Sequence, residues 1–216
     1  MPNIKTSGSD AWIEHLVTAG NLDPAGPPVH DNNVWLVGDN EQVLVIDPAH
    51  DAAAVAVAVG WRKVVAIVLT HGHWDHIRAA RNFARLVGDA PIYLSEADRF
   101  LWEQEHGDAE FLPLTDNQEF EVADLTLTAL ATPGHTPGST SISAPAMGVV
   151  FTGDTLFSGG PGATRWDYSS FEGILTSISE RLFPLGDETL VHTGHGPSTD
   201  IGTERRDFDA WRARGW

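Results

Sequence analysis

Apolar residues fall into short runs of strand length, separated by glycine-containing polar turns, and between several runs they recur at helical spacing. Val34-Trp-Leu-Val and Val43-Leu-Val-Ile flank Gly38-Asp39-Asn40, which predicts a hairpin whose second strand ends at Asp47-Pro48. Val64 to Leu69 is a continuous apolar run, suited to a strand covered on both faces. The polar loop Thr70-His-Gly-His-Trp-Asp-His follows it. Ile77, Ala80, Phe83, Ala84 and Val87 then predict a helix over 75–87, with Gly88 as its stop. Further strands are expected at 91–94, 125–130, 139–143, 149–152 and 189–193. Helices are expected at 95–104, with Ser95 as N-cap, at 170–183 and at 203–214. Gly159-Gly-Pro-Gly-Ala reads as a long loop. Strands and helices are mixed throughout, so the fold class is α/β (α+β), and without a low-complexity linker one domain over 1–216 is expected.

Composition narrows this picture. The longest apolar runs, Ala52 to Val59 and Val64 to Leu69, fall far short of the ~18 residues that cross a bilayer. The N-terminus MPNIKTSGSD has no apolar signal region, so a cytoplasmic protein without a membrane partner is expected. A formal net charge of −17 opposes binding to nucleic acid. With no cysteine in the chain, any metal must be held by imidazole and carboxylate. The expected partner is a small-molecule substrate, and the choice between monomer and homodimer stays open.

Candidate ligands cluster after strand ends: His71, His73, Asp75 and His76 together, then His135 in Thr132-Pro-Gly-His-Thr-Pro-Gly, Asp154 in Thr152-Gly-Asp-Thr, and His195 in Thr193-Gly-His-Gly. Four ligand-type side chains within the six residues His71 to His76, directly after a buried strand, would be costly to pack unless something satisfies them. Glycines in each turn let several loops converge on small ions. His15, His30, His50, His106 and His192 stand alone and read as surface or hydrogen-bonded core residues.

Together, T-H-G-H-W-D-H, T-P-G-H-T-P-G-S, G-D-T-L-F and T-G-H-G-P resemble the metallo-β-lactamase superfamily, in the expected order over 70–197. The resemblance implies a four-layer αββα sandwich with metals at one edge of the two sheets. It also implies His71, His73 and His135 on a first metal, Asp75, His76 and His195 on a second, and Asp154 bridging both. Two divalent ions, zinc foremost with iron or manganese as alternatives, leave a net positive centre after two carboxylates. Such a centre favours a bridging hydroxide as nucleophile and stabilises the oxyanion that its attack creates. Asp75 and Asp154 are thus the candidate catalytic residues.

The spans around Asp154 and His195 look most like glyoxalase II and its shorter bacterial relatives, which hydrolyse thioesters such as S-lactoylglutathione. A thiolate leaves with little proton donation, which suits such a centre. Only about twenty residues follow His195 and its turn, little room for the C-terminal helical domain that grips glutathione in full-length glyoxalase II, and Arg78-Ala79-Ala80 replaces the family's usual glycines. Arg165 is a candidate partner for a substrate carboxylate, and Trp166 and Tyr168 are candidate pocket linings. Three other readings stay open: a mono-iron persulfide dioxygenase using His71, His135 and Asp154, a lactonase or other hydrolase of the same fold, and a non-enzymatic module with structural metals.

Overall fold

In the computed structural model, which describes residues 4–5, 10–20 and 30–215, side chains alternate along the central strands between two apolar layers. Along β4 (Gln42–Ile46), Leu44 and Ile46 enter a core between two sheets, while Val43 and Val45 enter a second core under the outer helices. All four are wholly buried, which is why the run carries no polar alternation.

The first sheet has β4 near its middle, followed by β5 (Lys63–Val68), β6 (Ile92–Leu94) and β7 (Leu112–Pro113), all parallel to it. On its other side stand β3 (His30–Gly38), β2 (Trp12–Gly20) and β1 (Ile4–Lys5), paired antiparallel in that order. The parallel strands are joined by helices that cover the outer face: α1 (Ala52–Val59), α2 (Trp74–Ile77) with α3 (Ala80–Leu86), and α4 (Arg99–His106). Asp51 caps α1 by accepting from Ala54 N–H.

The second sheet contains β8 (Glu119–Val122), β9 (Leu125–Ala131), β10 (Thr140–Ala144), β11 (Val149–Gly153), β14 (Leu190–Thr193) and β15 (Thr199–Asp200), in the spatial order β15-β14-β11-β10-β9-β8. Its outer face is covered by α5 (Phe171–Ser177), α6 (Ile201–Arg205) and α7 (Phe208–Arg214), through Ile174, Leu175, Ile201 and Trp211. The small hairpin β12 (Leu156–Phe157) and β13 (Gly160–Pro161) lies between β11 and α5. Helix, sheet, sheet and helix stack as four layers, as the resemblance implies. Among the described residues no helix is long and apolar enough to cross a membrane.

Several expected elements are corrected. The helix over 75–87 is broken at Arg78-Ala79, because the one-turn α2 buries both Asp75 and His76 toward the sheet ends while α3 turns Phe83 and Ala84 into the outer core. Ser95 makes no side-chain cap; a 3-10 turn at Glu96–Asp98 precedes α4 instead. The helix over 170–183 becomes wide at Ile178–Leu182, and that over 203–214 divides at Arg206-Asp207. The expected loop at 159–163 contains part of the β12/β13 hairpin, where Gly159 takes φ +96°. Most of the N-terminal stretch read for an export signal lies outside the described residues, as does the side chain of His30.

Candidate metal centre

β5, β9, β11 and β14 all run toward one edge of the sandwich, and the loops that follow them carry the seven side chains singled out in the sequence. They converge. His73 Nδ1 stands 3.1 Å from His71 Nε2 and 2.9 Å from His135 Nε2. His195 Nε2 stands 3.1 Å from His76 Nε2 and 3.2 Å from Asp75 Oδ2. Asp154 lies between the two triads, with Oδ1 3.4 Å from His76 Nε2 and Oδ2 3.5 Å from His135 Nε2 and 3.6 Å from His195 Nε2. The ligand atoms of His71, His73 and His135 all lie within 4.8 Å of one another, as do those of Asp75, His76 and His195, and those of His71, His76 and Asp154.

Whether these groups suit cations is decided by the outward-facing nitrogens. His135 Nδ1 lies 2.7 Å from the Ala163 carbonyl and His195 Nδ1 3.0 Å from the Asp31 carbonyl, so both must donate there. His76 Nδ1 donates to Asp47 Oδ2 at 2.9 Å. Thr70 Oγ1 gives its proton to Asp47 Oδ2 at 2.6 Å and so accepts from His71 Nδ1 at 3.1 Å. His73 Nε2 lies 2.9 Å from the Tyr168 hydroxyl, which can accept its proton. In this network each imidazole turns its other nitrogen inward, and inward nitrogens about 3 Å apart set lone pair against lone pair unless a positive charge, a cation or a proton such as that on His76, stands between them. Asp154 Oδ1 is buried with no hydrogen-bond donor. The donor set therefore fits a pair of divalent cations.

The electrostatics agree. Burial pushes His71 well below the usual histidine range and His73 down to about 3, and lowers His135. Burial also opposes charge on His76, yet Asp75, Asp154 and Asp47 outweigh it and push His76 up to about 10. His195 is raised by Asp154 and Asp75 against its own burial. Asp75, despite burial, is held below the carboxylate range by His76, His195 and Asn32. With Nδ1 of His76 committed to Asp47, its extra proton can sit only on Nε2, where a metal ion would bind, so proton and cation compete for one position.

The centre floors an open cavity of about 500 Å³ walled by Trp74, Phe157, Ala163, Arg165 and Trp166. Arg165 is exposed at the rim, its guanidinium 4.8 Å above the Trp166 ring, which packs 4.4 Å from the His73 ring. Tyr168 stands behind His73 rather than in the wall; its hydroxyl is taken up by that histidine, and burial pushes its pKa to about 12.

Sequence reasoning missed several residues that shape the site. Asp47 is buried and also accepts from Thr70 N–H at 2.8 Å, which aligns the first ligand loop. Asn32 donates to Asp75 Oδ2 at 3.3 Å, and His50 Nε2 bonds Asn32 Oδ1 at 2.7 Å. Asn33 binds the carbonyls of Thr193 and Gly196, holding the His195 turn. Asp47 was visible as a carboxylate closing an apolar strand; the asparagine pair carried no such mark. Among the isolated histidines, His15 bonds Asn33 and stacks on Trp35, His106 bonds the Ile77 carbonyl, and His192 also stacks on Trp35.

Residues 27–195 match the sequence profile of the family described as the metallo-beta-lactamase superfamily. Over 197 residues the chain is 34% identical to the probable metallo-hydrolase YqgX of Bacillus subtilis, covering 84% of this chain and 92% of that protein. It is also 34% identical over 202 residues to hydroxyacylglutathione hydrolase GloC of Haemophilus influenzae, covering 86% and 95%. Among solved structures it is similar to TTHA1623 in a di-iron-bound form, with a TM-score of 0.73 and 29% identity over 84% of this chain and 98% of that one.

Proposed function

The chain belongs to the metallo-β-lactamase superfamily and is a metallo-hydrolase; on that premise we propose that it hydrolyses acyl-thioesters of a low-molecular-weight thiol in the cytoplasm. The observation that carries this reading is the proton inventory of the cavity. Among the described residues, each titratable side chain lining it is either a candidate ligand or Arg165. Arginine keeps its proton, and the ligands are committed to the centre. A leaving group must then depart as an anion. A thiol ionises near 8.5, far below the alcohols of ordinary esters, so a thiolate leaves unaided where an alkoxide or amide nitrogen would not. The likeness to hydroxyacylglutathione hydrolase GloC supports the same chemistry.

Two divalent cations held by His71, His73, Asp75, His76, His135, Asp154 and His195 would supply an acidified water and a sink for charge on the carbonyl oxygen. Asp75, steadied by Asn32 at 3.3 Å, would orient the attacking water while it holds a cation, and Asp154 joins the two triads. Trp74, Phe157 and Trp166 cover the apolar part of the substrate, and Arg165 at the rim receives an anionic group. Imidazole and carboxylate donors suit zinc, iron and manganese; zinc is the cation we assign, and elemental analysis of the purified chain distinguishes the three.

The test is a panel of S-lactoylglutathione, an alkyl ester, a γ-lactone and a β-lactam, assayed with the metal-loaded protein. The thioester is expected to exceed the others in kcat/KM by at least about tenfold, with one thiol released per turnover. A β-lactam or lactone turned over as fast as the thioester would sink the reading. Trp166→Ala is expected to raise KM about tenfold and leave kcat within about twofold, because the wall binds ground and transition state alike.

A further inference from the structure

Asp98 belongs to none of the candidate ligand groups, yet it is wholly buried behind them. Its Oδ2 accepts from Gly72 N–H at 2.7 Å and from Thr136 Oγ1 at 2.7 Å, and its Oδ1 accepts from Gly138 N–H at 2.7 Å. Gly72 lies between His71 and His73, and Thr136 directly follows His135. One carboxylate thus spans two turns that are remote in sequence and that together carry a complete triad.

We infer that Asp98 is a positioning residue that clasps the 71–73 turn to the 135–138 turn, and so sets the geometry of the metal site formed by His71, His73 and His135. The bonds are charge-assisted and short, which makes them stronger than ordinary amide contacts. They fix backbone on both sides of the triad, so they govern the separation of His73 and His135 rather than the rotamer of either. The glycines agree with this role. A Cβ at Gly72 would come within 2.9 Å of Asp98 Cβ, and one at Gly138 within 2.6 Å of Asp98 Cγ. The glycines in T-H-G-H and in the second half of T-P-G-H-T-P-G therefore make room for the clasp. Thr136 is held in register by Ser139, whose hydroxyl lies 2.9 Å from Thr136 Oγ1 and 3.0 Å from Thr136 N.

The inference rests on the metal centre and not on the choice of thioester. Its test needs no substrate. The protein is stripped with a chelator and titrated with Zn(II) against a chromophoric competitor. Asp98→Asn keeps the shape but turns one acceptor into a donor that faces Gly72, Thr136 or Gly138. One of two zinc equivalents is expected to bind about 10–100-fold more weakly, the scale for outer contacts of metal ligands, with the other unchanged. The weakened equivalent should be the one that His135→Ala abolishes. Two equivalents at wild-type affinity, or equal weakening of both, would overturn the clasp. A wild-type chain that takes up no zinc would instead remove the metal centre itself. Should Asp98→Asn not fold, Thr136→Val removes one donor and leaves the charge, and is expected to weaken the same equivalent about fivefold, the value of one hydrogen bond; unaltered binding there overturns the inference equally.

Discussion

Replacing Asp47 with asparagine tests whether hydrogen bonds behind the ligands dictate where protons sit in front of them. Asp47 takes φ +48°, a conformation asparagine also tolerates, so the backbone is not the variable. In the native protein both carboxylate oxygens only accept: from Thr70 N–H at 2.8 Å, Thr70 Oγ1 at 2.6 Å and His76 Nδ1 at 2.9 Å. An amide has one accepting end. If its NH2 faces His76, Nδ1 must accept, and a neutral ring then keeps its one proton on Nε2, 3.1 Å from His195 Nε2, in the position a cation would take. If its NH2 faces Thr70 N–H instead, a buried donor is left without an acceptor. Either arrangement leaves one conflict in a fully buried pocket, worth about 1–3 kcal/mol. For a chain of this size that lowers the Tm of the metal-free protein by about 2–12 °C. Metal affinity should fall about 10–100-fold as well, since outer partners of ligating histidines contribute on that scale. Calorimetry of the stripped and the zinc-loaded protein, with a competitive zinc titration, measures both quantities. Wild-type affinity for both equivalents, with an unchanged Tm, would refute the assigned ring tautomers and the cation fit built on them.

Two further predictions follow from the packing around the centre. Gly194→Ala introduces a Cβ 2.4 Å from Asp154 Oδ1 and 2.8 Å from His76 Cε1; the carboxylate must move, and activity is expected to fall about 100-fold, as for a misplacement of about 1 Å, while far-ultraviolet circular dichroism is retained. His192, buried beside Trp35 with His15 stacked on the same indole, is lowered by burial and by His15 to about 4. The unfolded chain therefore binds that proton first, so stability is lost as pH falls from about 6.5 to about 4, by up to about 3 kcal/mol. His192→Phe keeps the stack without the titration, and a flatter acid limb in urea midpoints against pH is expected; an unaltered limb would contradict it.

What could be read from the sequence, and what could not, divides by distance along the chain. The strands over 43–46, 64–69 and 149–152 announced themselves as apolar runs, and the ligand-type residues stood in the polar turns directly after such runs. Those seven side chains meet because the strands share one edge. α1 was hidden because AAAVAVAV has no polar face to mark a period, and only Asp51 before it and Gly60 after it signal a helix. β2 was hidden for the opposite reason: Glu14, His15 and Thr18 interrupt its apolar alternation. The break at Arg78-Ala79 is a tertiary effect, imposed by the need to turn Asp75 and His76 inward against a helical pattern that continues through Val87. Asn32 and Asp98 escaped altogether, and Asp47 was legible only as the end of a strand. Each acts on a residue 26 to 43 positions away, so no local pattern records it.

The origin of the ligands has an energetic consequence. The first sheet and its loops supply His71, His73, Asp75 and His76, together with Asp47 and Asn32 behind them; the second supplies His135, Asp154 and His195. Each triad draws on both sheets. Between the sheets lies an apolar core that includes Trp35, Leu44, Ile46 and Val68 against Leu127, Ile142 and Phe151, which is non-directional and sets spacing but not register at the edge. Register at the edge is set by polar contacts that cross the seam, such as Asn33 to the Thr193 carbonyl at 3.0 Å and Gly138 N–H to Asp98 at 2.7 Å. Cations bound across the same seam stabilise the closed arrangement in proportion to their occupancy, because they bind the aligned sheets and not the separated ones. The charge balance makes that coupling dependent on pH. Without cations, Asp75, Asp154 and Asp47 draw a proton onto His76, and metal binding must expel it. Affinity at the second triad therefore rises with pH until His76 is neutral, and the alignment of the two sheets follows it.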